Sequence, residues 1–304
     1  LGNVLYDGGA GGIKINGSDA EGELYDRTWG NVIADNEISF CGRKYFAGCG
    51  VLLMHSYENT VAHNDIHDLF YSGISVGWVW GYTPSVCRDN IIEKNHIYNL
   101  GGGLLSDMGG IYLLGLQPGT IVRGNLIHDV IARHYGGWGI YTDEGSSYIT
   151  VENNICYNFS SNGYHQHFGS MNTVRNNIFA FSKEGLLRVS RAEMHTSILF
   201  EKNIVVSDGV PMYAMSHNGF FNQTIASGRN LFFDYGRETL MLDQEGIQND
   251  FETFTKRENM DLDSIVSDPL FKDPKNGDFT LDPNSPAFSL GFVPIDLSDA
   301  GVRK

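Results

Sequence analysis

The residues best suited to chemistry lie between Asp107 and Arg188. The stretch from Gly136 to Ser147 reads GGWGIYTDEGSS and sets Asp143 and Glu144 at the end of a strand-like run, after Trp138 and Tyr141. Another acid, Asp107, sits in LLSDMGGIY, and His165 and His167 follow in GYHQHFG. Two carboxylates facing across a groove can cleave a glycosidic bond. One stays protonated and donates to the leaving oxygen, while the other stays ionised to attack or to activate water. A gap of about 5 Å suits the covalent, retaining route, and roughly 6.5–9.5 Å leaves room for water; the sequence leaves both open. An Asp-Glu-Gly run is also a common turn, and loop aspartates often bond backbone amides. The choice depends on the elements that carry these residues.

Those elements form a repeat. An Asn-x-Ile or Asn-Ile unit recurs with its isoleucines at 38, 66, 97, 127, 155, 178 and 204, in steps of 28, 31, 30, 28, 23 and 26. Between these units lies a glycine followed by alternating residues, as in Gly73-Ile-Ser-Val, Gly110-Ile-Tyr-Leu and Gly139-Ile-Tyr-Thr. Short strands at such a period predict an all-β right-handed parallel β-helix, whose stacked coils bury a continuous core. The asparagines would stack at one bend of every coil and bond one another. A leucine-rich horseshoe fits less well, because no helical half-repeat is visible. We expect coils carrying the cleft over residues 1–216. Last coils, a helix over DFETFTKREN and an irregular or helical C-terminal cap would fill 217–304, with DSIVSDPLFKDPKNGDF and the residues after it covering the open end.

Strand alternation then aims the side chains. Aligning the glycines places Ser75, Tyr112, Tyr141, His165 and Leu187 in one outward ladder, and Gly77, Leu114, Asp143, His167 and Val189 in the next. In that register Arg188 follows an outward leucine, so alternation turns it inward. It is kept among the candidate sugar contacts, with a salt bridge or a strand end as its plainer role; Arg133 and Arg191 are the other cations nearby. Three successive coils carry extra residues beside these ladders: WVWGYTPSV, LGGGLLSDMG and VIARHYGGW. Insertions on neighbouring coils build a walled cleft. Its floor would be Tyr112, Tyr141, Asp143, His165 and His167. Its walls would be Trp78, Trp80, Tyr82, Asp107, His134, Tyr135 and Trp138, with Glu144 orienting its neighbours. Aromatic faces stack on sugar rings while acids and imidazoles bond hydroxyls. The histidine pair with Asp143 also has the composition of a zinc site, but hydrogen bonding to sugar is the stronger reading. No metal or other cofactor is expected, and calcium, though admissible, is not indicated by any motif.

Composition narrows the partners. The 304 residues carry a formal net charge of −15 and no Lys/Arg-rich block, which excludes nucleic acid and anionic membrane surfaces as natural partners. No apolar run reaches the roughly 20 residues of a membrane-spanning helix. Cys41, Cys49, Cys87 and Cys156 have no metal-ligand spacing; Cys156 reads as a packed residue, and Cys41 with Cys49 as a conceivable pair. The chain starts at Leu1 without a leader, as a processed or truncated product would.

Several blocks, GISVGWVWGYTPS, LLSDMGGIYLLGLQPGTIVRGNLIHDV, YGGWGIYTDEGSSYITVENN, GYHQHFG, NNIFAFS and DPLFKDPKNGDFTLDPNSPAFSLGF, resemble the β-helix proteins of glycoside hydrolase family 141. The likeness runs from about Asn31 to the end. It implies a secreted enzyme on plant cell-wall glycans, of α-L-fucosidase or xylanase type, with a catalytic aspartate pair matched here by Asp107 and Asp143. Members of that family are generally longer at the amino end. Two rival classes remain. A polysaccharide lyase or epimerase would want cations or calcium against a uronate, and a non-catalytic glycan-binding β-helix would keep the aromatics without needing both acids.

Overall fold

The computed structural model describes residues 1–215, 221–243 and 250–303. Three parallel sheets wind about one core, each coil adding one short strand to each sheet. The first sheet has ten strands, from Val4–Tyr6 to Ile265–Val266. The second has eight, from Ile13–Asn16 to Tyr213–Met215, and the third eight, from Val32–Ala34 to Ile225–Gly228. This is the right-handed parallel β-helix expected from the repeat. No described helix is long and apolar enough to cross a membrane.

The bends follow from local chemistry. Before each ladder asparagine stands a residue in the left-handed region, such as Asp35 (φ 56°), Lys94 (φ 54°), Asn153 (φ 58°) and Lys202 (φ 55°), which turns the chain sharply from the third sheet into the first. The asparagine after it is buried and bonds its counterpart one coil on. Asn64 Nδ2 donates to Asn95 Oδ1 at 2.9 Å, Asn95 to Asn125 at 3.0 Å, and Asn125 to Asn154 at 2.9 Å. The ladder reaches past the repeat read from sequence, to Asn3 at one end and Asn230 at the other. Inside the bend, Ile38, Ile66, Ile97, Ile127, Cys156, Phe179, Val205 and Phe232 stack in register, all buried. The four cysteines are buried free thiols, so Cys41 and Cys49 are unpaired.

The C-terminal region does two separate things. The helix Phe251–Glu258, capped by Asp250, lays Phe251 against Phe232 (5.7 Å between ring centres) and Phe254 against Tyr213 (6.0 Å), closing the core at the last coils. The irregular segment beyond it was expected over the same end but runs back along the outside of the ten-stranded sheet. Phe279 packs on Tyr157 (5.1 Å), Val293 N donates to Asn176 Oδ1 (2.7 Å), and Lys94 pairs with Asp299 (2.6 Å). Arg303 reaches Asp35 near the first coils, also at 2.6 Å. Phe271, Phe279, Ala287 and Phe292 bury a second apolar layer against Ile178, Ile204 and Leu231. The expected boundary at 216/217 lies outside the described residues. Beyond it, Ile225–Gly228 and Leu231–Asp234 continue the coils.

Candidate active site

The second sheet carries the site, through strands Ile74–Gly77, Gly109–Leu114, Trp138–Thr142, Asn162–Gln166 and Gly185–Val189. Its registers pair Ser75 with Tyr112, Tyr112 with Tyr141, and Tyr141 with His165, as alternation requires. The next pairing departs from the glycine alignment by one residue. Gly185 opposes Asn162 rather than Gly163, so Leu187 faces Tyr164 and Arg188 faces His165. A one-residue slip turns every side chain over, and apolar burial decides which register wins. Leu187 and Val189 therefore enter the core, and Arg188, expected inward, joins the outward ladder. The slip also brings Ser190 to the site, which the sequence reading missed because Val189 occupied its place. Leu114, placed in the outward ladder, is fully buried in a small cluster with Tyr112, Trp138 and Tyr141.

Asp107 and Asp143 line one cavity of about 330 Å³, together with Trp80, Tyr135, Trp138, Tyr141, Glu144, His165, His167, Arg188 and Ser190. Trp78, Tyr82 and Tyr112, also expected as sugar contacts, are not in its lining; each supports the wall or floor instead. The buried Tyr112 hydroxyl donates to Asp143 Oδ2 at 2.5 Å. The Trp78 indole packs on Tyr112 (5.9 Å) and donates to Ser75 Oγ. Tyr82 bonds Glu193 and meets Phe168 edge-on. His134, a candidate wall residue, is exposed and outside the lining.

Two loops hold Asp107 in place. The Asp107 amide donates to the Tyr135 carbonyl (3.1 Å), and Tyr71 Oη donates to the Asp107 carbonyl (2.8 Å). Gly136, at φ +83°, lets these loops meet, since a Cβ there would lie 2.7 Å from the Asp107 nitrogen. On the floor, Trp138 lies 4.3 Å from Tyr141 and 4.1 Å from His165 between ring centres, and Tyr141 stacks on His165 at 4.8 Å. Tyr141 and His165 lie parallel and Trp138 is tilted against both, so that the three rings form an aromatic base to the cavity.

The two carboxylates differ in their surroundings. Burial, then the charge of Asp143, raises the Asp107 carboxyl above its usual range, while Tyr141, His167 and Tyr135 pull the other way. Asp143 is buried and accepts the Tyr112 bond. That hydroxyl, itself pushed far up by burial and by Asp143, remains a donor. Burial, followed by Arg188 and His167, holds His165 well below the usual histidine range, so it stays neutral. His165 Nε2 and His167 Nδ1 both bond Ser190 Oγ, at 2.9 and 2.7 Å, and His167 Nε2 lies 3.8 Å from Glu144. Among the described residues no three His, Cys, Asp or Glu side chains are grouped to hold a metal ion. Ser190 Oγ takes one nitrogen of each imidazole, while His165 Nδ1 is buried without a hydrogen-bond partner.

The sequence matches, over residues 2–130 and 87–231, the family described as "Right handed beta helix region". The chain belongs to the right-handed beta helix family. Among solved structures, this β-helix is similar to one described as "Glycoside hydrolase", at 25% identity and a TM-score of 0.46, with 56% of this chain and 29% of that one covered. It is also similar to one described as "The complex structure of XylC with xylose", at 12% identity and a TM-score of 0.41, with 77% and 49% covered. The chain thus spans under a third of the first structure and about half of the second. No curated protein matches the sequence.

Proposed function

We propose that this β-helix is a glycoside hydrolase acting on plant cell-wall glycans outside the cell, of α-L-fucosidase or xylanase type. The observation that carries the reading is the pair of carboxylates, unlike in environment, that share one aromatic-floored cavity. Asp107, raised and therefore more readily protonated, is the acid: it gives its proton to the glycosidic oxygen as the bond from that oxygen to the anomeric carbon breaks. Asp143, held as an acceptor by Tyr112, is the ionised partner that attacks the anomeric carbon or takes a proton from the water that does. Either way one water is consumed: its oxygen and one proton become the new anomeric hydroxyl, and its other proton returns to Asp107, directly in the retaining route or by way of Asp143 and solvent in the inverting one. Tyr141 and Trp138 offer faces for a sugar ring, while His165, His167, Glu144 and Arg188 offer partners to its hydroxyls.

Arg188 in the lining gives the rival lyase chemistry one observation in its favour, because a guanidinium can bind a uronate carboxylate. Reaction in 18O-labelled water separates the two. Hydrolysis places the label on the released sugar, read by mass spectrometry; elimination leaves it out and yields an unsaturated, ultraviolet-absorbing uronate. Binding on a glycan panel without turnover would leave only the non-catalytic reading.

A further inference from the structure

The outward ladder that forms the cleft floor does not stay open along its length. Ser75 and Tyr112 belong to it by register, yet both are buried and neither lines the cavity, whose floor begins at Tyr141. What covers them is Trp78. Its backbone bends at φ +78°, its indole nitrogen donates to Ser75 Oγ at 3.0 Å, and its ring packs at a tilt against Tyr112, 5.9 Å between centres. Trp80 stands edge-on to Trp78 at 6.4 Å and faces the cavity.

The same loop then continues along one side. Gly81 sits so closely on Gly145 that a Cβ on Gly145 would fall 2.0 Å from the Gly81 carbonyl oxygen. Tyr82 ties the loop to Glu193, which lies 111 residues away. One insertion thus closes one end of the groove and walls one flank. At about 330 Å³ the remaining space is at the small end of ligand pockets, which run from roughly 300 to 1,000 Å³. A polymer lying along the floor would have to pass through the Trp78 indole.

We infer that the cleft is single-ended, so that the protein removes the terminal sugar of a chain, with Trp78 as the residue that sets this specificity. The inference rests on the hydrolase reading and deepens it. The test uses a panel of linear and fucosylated oligosaccharides labelled at the reducing end, each prepared free and chemically capped at the opposite end. The expected first product is a single terminal sugar and a labelled chain one unit shorter, with capping reducing the rate at least a hundredfold. Trp78→Ala is expected to gain internal cleavage of capped chains at least tenfold over wild type, while Trp78→Phe, which keeps the cover, does not. Should Trp78→Ala not fold, the capped and free pair on wild type still decides. Internal fragments from wild type, at rates that capping leaves unchanged, would overturn the single-ended cleft and leave the hydrolase standing. Failure to release sugar from every oligosaccharide on the panel would overturn both.

Discussion

At the scale of the residue, the proposed hydrolysis depends on two acids with opposite roles, one giving a proton and one accepting or attacking. Asp107 has to hold its proton, and burial beside Asp143 favours that form, so activity should decline as pH climbs through its raised value. Tyr112→Phe removes the hydrogen bond that positions Asp143 and should lower kcat/KM about tenfold, the equivalent of a hydrogen bond of about 1.4 kcal/mol; an unchanged kcat/KM would argue that this bond does not serve the reaction. Asp107 also bears on stability. Its folded value lies above the model-peptide value of 3.8, so the folded state binds more proton, and stability is lost as pH rises from 3.8 through the raised value. Asp107→Asn should therefore melt higher than wild type at neutral pH, by about 2–4 °C for each kcal/mol recovered, and show no such gain below pH 3.8. Asp107 and Asp143 were legible in the sequence because acids beside glycines and aromatics are unusual in a coil that otherwise alternates. Ser190 was not, since its position depends on whether Gly185 pairs with Asn162 or Gly163, and both glycine alignments look alike until Leu187 is seen to need the core.

At the scale of the element, the coil is set by its asparagine bend and the cleft by its inserted loops. Asn125 accepts from Asn95, and its own amide donates to Asn154 and to the Ile92 and Arg123 carbonyls, all in the interior. Asn125→Ala leaves several of these groups unpaired at a cost of about 1–3 kcal/mol for each buried orphan, measurable as a lower midpoint in denaturant. The loop prediction concerns Gly145, whose φ of +74° disfavours a side chain and whose contact with Gly81 leaves no room for one. Gly145→Ala should displace the WVWGY loop and reduce activity about tenfold or more while the far-ultraviolet spectrum keeps its strand signature. The bends could be read from sequence because one side-chain chemistry recurs at each. The loop lengths were legible too, but the destination of Tyr82 was not, because its partner Glu193 lies four coils away and nothing local marks it.

At the scale of the whole molecule, stacking makes the site rigid. Tyr112, Tyr141, His165 and Arg188 come from four consecutive coils held in register by backbone ladders, so the acids and their floor are placed by the core rather than by the loops alone. The C-terminal segment binds many of those coils together from outside. Its path was hidden in the sequence because Pro, Asp and Gly define turns without saying which surface the turns will cross. Removing residues 263–304 would expose Ile178, Ile204 and Leu231, each worth about 1.5–3 kcal/mol when fully buried. The shortened chain should melt lower and bind an apolar dye, and an unchanged melt would show that this layer does not hold the coils together. The most direct measurement compares hydrolysis of the preferred glycan by wild type, Asp107→Asn and Asp143→Asn, with folding checked by circular dichroism. Each substitution is expected to reduce kcat/KM by about 10³-fold with the fold kept. Folded variants that cleave as fast as wild type would contradict the assignment of the two aspartates.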